Sequence, residues 1–216
     1  MIEYVFFDLD GTLTDSGLGI TNSVAYSLEK HGIEVSSRED LYKFVGPPLV
    51  DSFMKYYGFS LEGARKAVDA YREYYRERGI FENEVYDGVR ELLEALRCAG
   101  KKIVLATSKP EIFAKKILSY FELDGYFCCV VGAMLDETRT KKSDVISYAL
   151  SCCGNPTLDS VIMVGDREHD ILGAKENGIR SIGVLYGYGT REELSEAGAD
   201  FIAKTPKDIE KIILKT

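Results

Sequence analysis

Three short apolar runs, each stopping at residues able to do chemistry, restrict what this chain can fold into more than any other feature. Residues 2–7 run into Asp8, residues 103–106 into Thr107 and Ser108, and residues 161–164 into Gly165 and Asp166. Short runs of β-branched and aliphatic residues bounded by turn residues read as strands buried on both faces. Residues 126–131 and 181–185 read as two more.

Helical patterns lie between them. Val89, Leu92, Leu93 and Leu96 recur at i, i+3, i+4 and i+7, with Gly100 as the stop. Glu111 to Tyr120 follows Pro110, which suits a first helical turn, and 143–152, 169–177 and 206–214 read the same way. Strands alternating with helices predict a doubly wound α/β fold: a Rossmann-like parallel sheet covered on both faces. In such sheets ligands bind beyond the carboxyl ends of the strands. Asp8, Thr107 and Asp166 are therefore expected to converge at one edge.

One stretch breaks the alternation. Residues 17–82 carry helical patterns (20–30, 49–57 and 61–78) and no convincing strand. They are expected to form an inserted all-helical cap domain over the sheet edge, with 1–16 and 83–216 as the core. Gly17, Gly19 and residues 81–83 are the expected hinges.

Composition excludes some partners. With 27 Lys and Arg against 35 Asp and Glu, the net charge is −8. That sign argues against a nucleic-acid or anionic-membrane surface, which attracts proteins through basic residues. No apolar run is long enough to span a bilayer and the N-terminus lacks a signal-peptide pattern, so a cytoplasmic protein is expected, as a monomer or homodimer. Four of the five cysteines sit as adjacent pairs (Cys128–Cys129 and Cys152–Cys153), poor spacing for a disulfide or a zinc site. Buried reduced thiols are expected.

The chemistry-bearing residues fall into four groups. In Asp8-Leu9-Asp10-Gly11-Thr12, one carboxylate at a strand end can attack phosphorus while a second, two residues on, protonates the leaving oxygen and later activates water. Thr107-Ser108 places a hydroxyl and a backbone N–H at a strand end before a helix, where both can donate to a phosphate oxygen. Lys141 and Lys142 are adjacent cations before another helix. In Gly165-Asp166-Arg167-Glu168-His169-Asp170, two carboxylates four apart share one face if the turn is helical, a set suited to a hard cation. His169 reads as incidental.

The run FFDLDGTLTDS resembles the first motif of the haloacid-dehalogenase-like hydrolase superfamily, and the other three groups follow in the family's order. The nearest resemblance is to the phosphoglycolate-phosphatase-like branch. It implies a Mg²⁺-dependent phosphatase in which Asp8 is the nucleophile, Asp10 the general acid/base with its carbonyl on the metal, and Thr107 a phosphate contact. It also implies Asp166 and Asp170 as further metal ligands beside Asp8. Lys142-Ser143-Asp144-Val145-Ile146 is similar to the branch's third motif, which selects Lys142 over Lys141, although the proline that often follows this lysine is absent. Ser108, Lys109 and Gly46 complete the expected substrate contacts, Gly46 because Val45-Gly46-Pro47-Pro48 forms a stiff loop with room for close backbone approach. Lys109 could face the phosphate, the cap or solvent.

Charge arithmetic shows why the parts need each other. Three ionised aspartates carry about −3 and a phosphate dianion about −2. Each like pair at 4 Å costs about 4 kcal/mol at an effective dielectric of 20. Mg²⁺ and Lys142 return about +3, and helix N-termini and hydroxyl donors meet the rest. The implied substrate is a small phosphate ester, phosphoglycolate-like or a nucleoside monophosphate, which the sequence does not choose between. A phosphomutase of the same superfamily uses the same parts. A receiver-type signalling domain also has strand-end aspartates, but in the wrong order and without a helical insert.

Overall fold

The computed structural model describes residues 1–135 and 138–215. The chain begins with β1 (Tyr4–Phe7), β2 (Thr14–Asp15), α1 (Gly17–Lys30), α2 (Leu49–Tyr57), α3 (Leu61–Tyr74) and β3 (Glu84–Val85). It continues through α4 (Val89–Cys98), β4 (Lys102–Pro110), α5 (Glu111–Tyr120), β5 (Phe127–Ala133) and α6 (Lys142–Cys152). It ends with β6 (Val161–Gly165), α7 (Glu168–Glu176), β7 (Arg180–Val184), α8 (Arg191–Ala197), β8 (Phe201–Ala203) and α9 (Pro206–Lys215). Two compact units result, Met1–Thr14 with Val85–Thr216, and Asp15–Glu84.

In the larger unit, among the described residues, six parallel strands form one sheet in the order β5-β4-β1-β6-β7-β8. The chain builds outward from β1 through β4 to β5, then returns to the other side of β1 for β6, β7 and β8. That reversal makes the carboxyl ends of β4, β1 and β6 the topological switch point, where an open α/β sheet leaves a crevice. Alternate residues Tyr4, Phe6, Val104, Ala106, Val161 and Met163 pack with Val145, Ile146 and Ala149 of α6 and Ala174 of α7. Val5, Phe7, Leu105 and Val164 are buried on the opposite face. Each such side chain contributes roughly 1.5–3 kcal/mol by leaving water, so both faces must be covered.

The smaller unit is helical. Ile20, Val24 and Leu28 of α1 and Ala64, Ala67, Val68 and Tyr71 of α3 are buried, and Ser27 donates to the Ala67 carbonyl at 2.6 Å. Phe44 and Phe53 meet edge to face at 5.0 Å. The pattern over 61–78 predicts one helix, but α3 ends at Tyr74 and widens into a π turn over Tyr75–Gly79, closed by Ile80 N–H on the Tyr75 carbonyl at 2.9 Å. Gly17 and Gly19 lie in the first turn of α1. A Cβ on Gly19 would lie 1.9 Å from the Gly79 carbonyl oxygen, so this glycine lets two backbones touch.

The short elements α8 and β8 carry too few residues to show a period, and the sequence does not announce them. All five cysteines are free thiols, but none is fully buried as expected: Cys98, Cys128 and Cys152 are exposed, and Cys129 and Cys153 are half-buried. Burial pushes the Cys129 thiol up to about 11 and the Cys153 thiol up to about 12, which makes both poor nucleophiles.

Candidate active site

Strand register brings the chemistry together. Phe7 lies opposite Leu105 on one side and Val164 on the other, so β1, β4 and β6 end at about the same height. Asp8 follows Phe7 directly and donates its N–H to the Val164 carbonyl at 2.9 Å. Asp166 follows Val164 by two residues, and α7 starts at once, placing Asp170 in its first turn. One oxygen from each of Asp8, Asp166 and Asp170 lies within 4.8 Å of the others, and all three residues are buried.

Among the described residues, one lysine ammonium is paired with this cluster. Lys142 opens α6 and its Nζ lies 2.6 Å from Asp8 Oδ1, 2.8 Å from Asp170 Oδ1 and 3.1 Å from the Ala106 carbonyl oxygen. Lys141 is exposed. Burial disfavours a charge on Lys142, but the Asp170 and Asp8 carboxylates outweigh it and hold the ammonium above the ordinary lysine range. Burial pushes Asp8 up to about 6; Lys142 opposes this, and Asp170 and Asp10 add to it. Asp166 is raised well above the carboxylate range by burial and by repulsion from Asp170 and Asp8, with the Tyr188 N–H acting against them.

These residues fit a hard divalent cation. Asp170 Oδ1 is buried, and it faces the Lys142 ammonium at 2.8 Å alongside oxygens of Asp8 and Asp166. Three buried carboxylates against one ammonium leave negative charge in excess, and oxygen donors in that number suit Mg²⁺. Gly165 makes the packing feasible, since a Cβ there would lie 2.2 Å from Asp170 Cγ. The Arg167 N–H fixes the other Asp170 oxygen at 3.1 Å.

The remaining expected residues fall differently. Thr107 is buried in β4, where the register slips between Ala106 and Pro110, and its Oγ1 accepts from the Lys109 N–H at 3.2 Å. Ser108 is half-buried on the same bulge. Lys109 does not reach solvent: its Nζ lies 2.9 and 2.6 Å from the two carboxylate oxygens of Asp10, and both side chains are buried. The lysine expected at the substrate is thus paired with the expected acid/base. Gly46 belongs to the helical unit, with φ of 99°, a conformation that side chains disfavour. His169 is half-buried.

Sequence reading missed residues 186–190, Tyr-Gly-Tyr-Gly-Thr. The Tyr188 N–H donates to Asp166 Oδ2 at 2.8 Å, and the Tyr186 hydroxyl donates to the Thr12 carbonyl at 3.0 Å. Two glycines around one tyrosine after a buried strand were the available clue.

Known proteins similar to this chain share one family but carry differently named activities. The model of the haloacid dehalogenase-like hydrolase family matches residues 5–184. A 5'-nucleotidase of Pseudomonas aeruginosa is 46% identical over 190 residues, which are 88% of this chain and 86% of that protein. The tyrosine-protein kinase PtkA of Mycobacterium tuberculosis is 40% identical over 203 residues, 94% of this chain and 66% of its own. The crystal structure of a predicted phosphatase from Clostridium acetobutylicum superposes with a TM-score of 0.98 at 50% identity, covering 100% of both chains.

Proposed function

The chain belongs to the haloacid dehalogenase-like hydrolase family and is a phosphatase, and we propose that it hydrolyses nucleoside 5'-monophosphates through a phosphorylated Asp8. The observation that carries the chemistry is the buried cluster of Asp8, Asp166 and Asp170 around Lys142 at the switch point of the sheet. The substrate class is supported by the 46% identity to a protein named a 5'-nucleotidase.

In this reading an Asp8 carboxylate oxygen attacks phosphorus and the bond from phosphorus to the ester oxygen breaks. Asp10 donates its proton to the departing alkoxide. Asp10 then takes a proton from water as that water attacks the aspartyl-phosphate, the bond from phosphorus to Asp8 breaks, and inorganic phosphate leaves. Lys142 holds the Asp8 carboxylate in place and offsets charge on the phosphoryl oxygens. Thr107 and the Ser108 N–H orient those oxygens. Asp8, Asp166, Asp170 and the Asp10 carbonyl would hold Mg²⁺, which supplies Lewis-acid neutralisation of the attacking carboxylate and the phosphate. Residues 1–16 and 83–216 carry this chemistry as the core, while the helical cap, residues 17–82 with Gly46, governs which ester is accepted.

Phosphate release from a panel of nucleoside 5'-monophosphates, phosphoglycolate, pyrophosphate and phosphotyrosine tests the reading, with Mg²⁺ and with EDTA. Nucleoside monophosphates are expected to rank first, with release lost in EDTA and in Asp8→Asn. Turnover by Asp8→Asn at the wild-type rate would remove the covalent step, and phosphoglycolate ranking first would replace the substrate class.

A further inference from the structure

Backbone approaches Asp166 closely at three glycines. A Cβ on Gly187 would lie 2.3 Å from the Gly11 carbonyl oxygen and 2.4 Å from Asp166 Cβ. One on Gly189 would lie 1.9 Å from the Asp166 carbonyl oxygen, and one on Gly11 would lie 2.2 Å from Asp166 Oδ2. Gly11 also has φ of 82°. Gly187 and Gly189 do not lie in the left-handed region, so at these two positions space alone excludes a side chain. The close approach delivers the Tyr188 N–H to Asp166 Oδ2 at 2.8 Å. Oδ1 accepts a long bond, 3.5 Å, from Thr12 Oγ1.

One end of the segment is tied to the turn after β1 and the other to the turn that carries Asp166. At one end the Tyr186 hydroxyl holds the Thr12 carbonyl at 3.0 Å, and its ring meets Tyr86 edge to face at 5.1 Å. At the other, Thr190 Oγ1 accepts from the Glu193 N–H at 3.1 Å. Glu193 Oε1 in turn accepts from Arg167 Nε at 2.8 Å and from the Glu168 N–H at 2.9 Å. The residues flanking Asp166 on its C-terminal side are thereby fixed to the same segment that fixes its carboxylate.

We propose that residues 186–190 form a backbone cradle that sets the Asp166 carboxylate for a divalent cation, with Gly187 and Gly189 as positioning residues. The inference rests on the metal reading proposed above. A carboxylate held by a rigid N–H keeps one orientation, so binding a cation does not require ordering it. Losing such an outer partner typically weakens metal binding by about 10- to 100-fold.

The test is Mg²⁺ binding by calorimetry to wild type, Gly187→Ala, Gly189→Ala, Tyr186→Phe and Gly178→Ala, with melting measured in EDTA. Gly178→Ala is the control: its φ of 69° makes alanine strained there, and its Cβ would meet only Leu158, at 3.4 Å. Gly187→Ala and Gly189→Ala are expected to bind Mg²⁺ about 10- to 100-fold more weakly, while Gly178→Ala melts lower yet binds as wild type does. The Mg²⁺ concentration for half-maximal phosphate release should rise with the dissociation constant, and kcat at saturating Mg²⁺ should fall less. Folded Gly187→Ala and Gly189→Ala binding Mg²⁺ with wild-type affinity would overturn the proposal. If neither alanine variant folds, Tyr186→Phe decides, since it loosens one anchor without crowding: weakening of about threefold or more supports the cradle, and unchanged affinity refutes it. Failure of wild type to bind Mg²⁺ would remove the metal reading and this inference together, whereas wild-type binding with indifferent variants removes this inference alone.

Discussion

At the residue scale, two buried ammonium groups hold three of the four buried aspartates, and Asp166 is held by a backbone N–H instead. Lys142 lies between Asp8 and Asp170, and Lys109 is paired with Asp10. Taking one partner from a buried pair leaves an uncompensated charge, a larger perturbation than any exposed pair produces. Lys142→Ala is expected to lower kcat by at least about 10²-fold while the exposed Lys141→Ala stays near wild type; steady-state rates on the same ester decide, and the reverse order would move the role to Lys141. Lys109→Met should lower kcat by roughly 10- to 100-fold with KM little changed, because it unfixes Asp10. A raised KM at constant kcat would instead place Lys109 on the substrate. Between the two lysines at 141–142, the resemblance of the following residues to a known motif selected Lys142, while the run of two identical residues carried no preference of its own. Their helical phase decides which turns inward, and that phase depends on where α6 begins.

At the scale of elements, each chemical group depends on a short-range feature that a period cannot carry. Thr107 and Lys109 owe their positions to the slip in β4 between Ala106 and Pro110, which turns consecutive residues in directions a regular strand would not allow. Asp170 depends on α7 starting immediately after β6, with Gly165 giving way. In the helical unit, α1 and the π turn meet through Gly19 and Gly79. Gly19→Ala is expected to destabilise that unit by about 1–3 kcal/mol, through overpacking against an immobile carbonyl. Urea unfolding followed by helical circular dichroism measures this, and a loss under about 0.5 kcal/mol would mean the contact yields readily. The amphipathic helices 89–98, 111–120 and 142–152 were legible because their buried faces repeat. The segments α8 and β8 were not, since short elements are fixed by what they pack on rather than by their own pattern.

At the scale of the whole molecule, the proposed function assigns the reaction to the α/β unit and the choice of ester to the helical unit. Exchanging residues 17–82 for the equivalent segment of a family member with a different preference is expected to transfer the ranking of esters. Loss of turnover in Asp8→Asn should persist in the chimera. Phosphate release across one ester panel checks both, and an unchanged ranking would return substrate choice to the α/β unit. The sequence by itself determined the class of fold, through apolar runs too short for anything but doubly buried strands. It also determined the reactive ends of those strands, because a strand's last residues face the crevice whatever follows them. Only the tertiary structure decided that Lys109 is paired with Asp10, that Lys142 reaches both Asp8 and Asp170, and that residues 186–190 wrap Asp166. Each of those is a contact between segments far apart in the chain, set by register, bulge and close backbone approach, and local sequence carries no record of what it will meet.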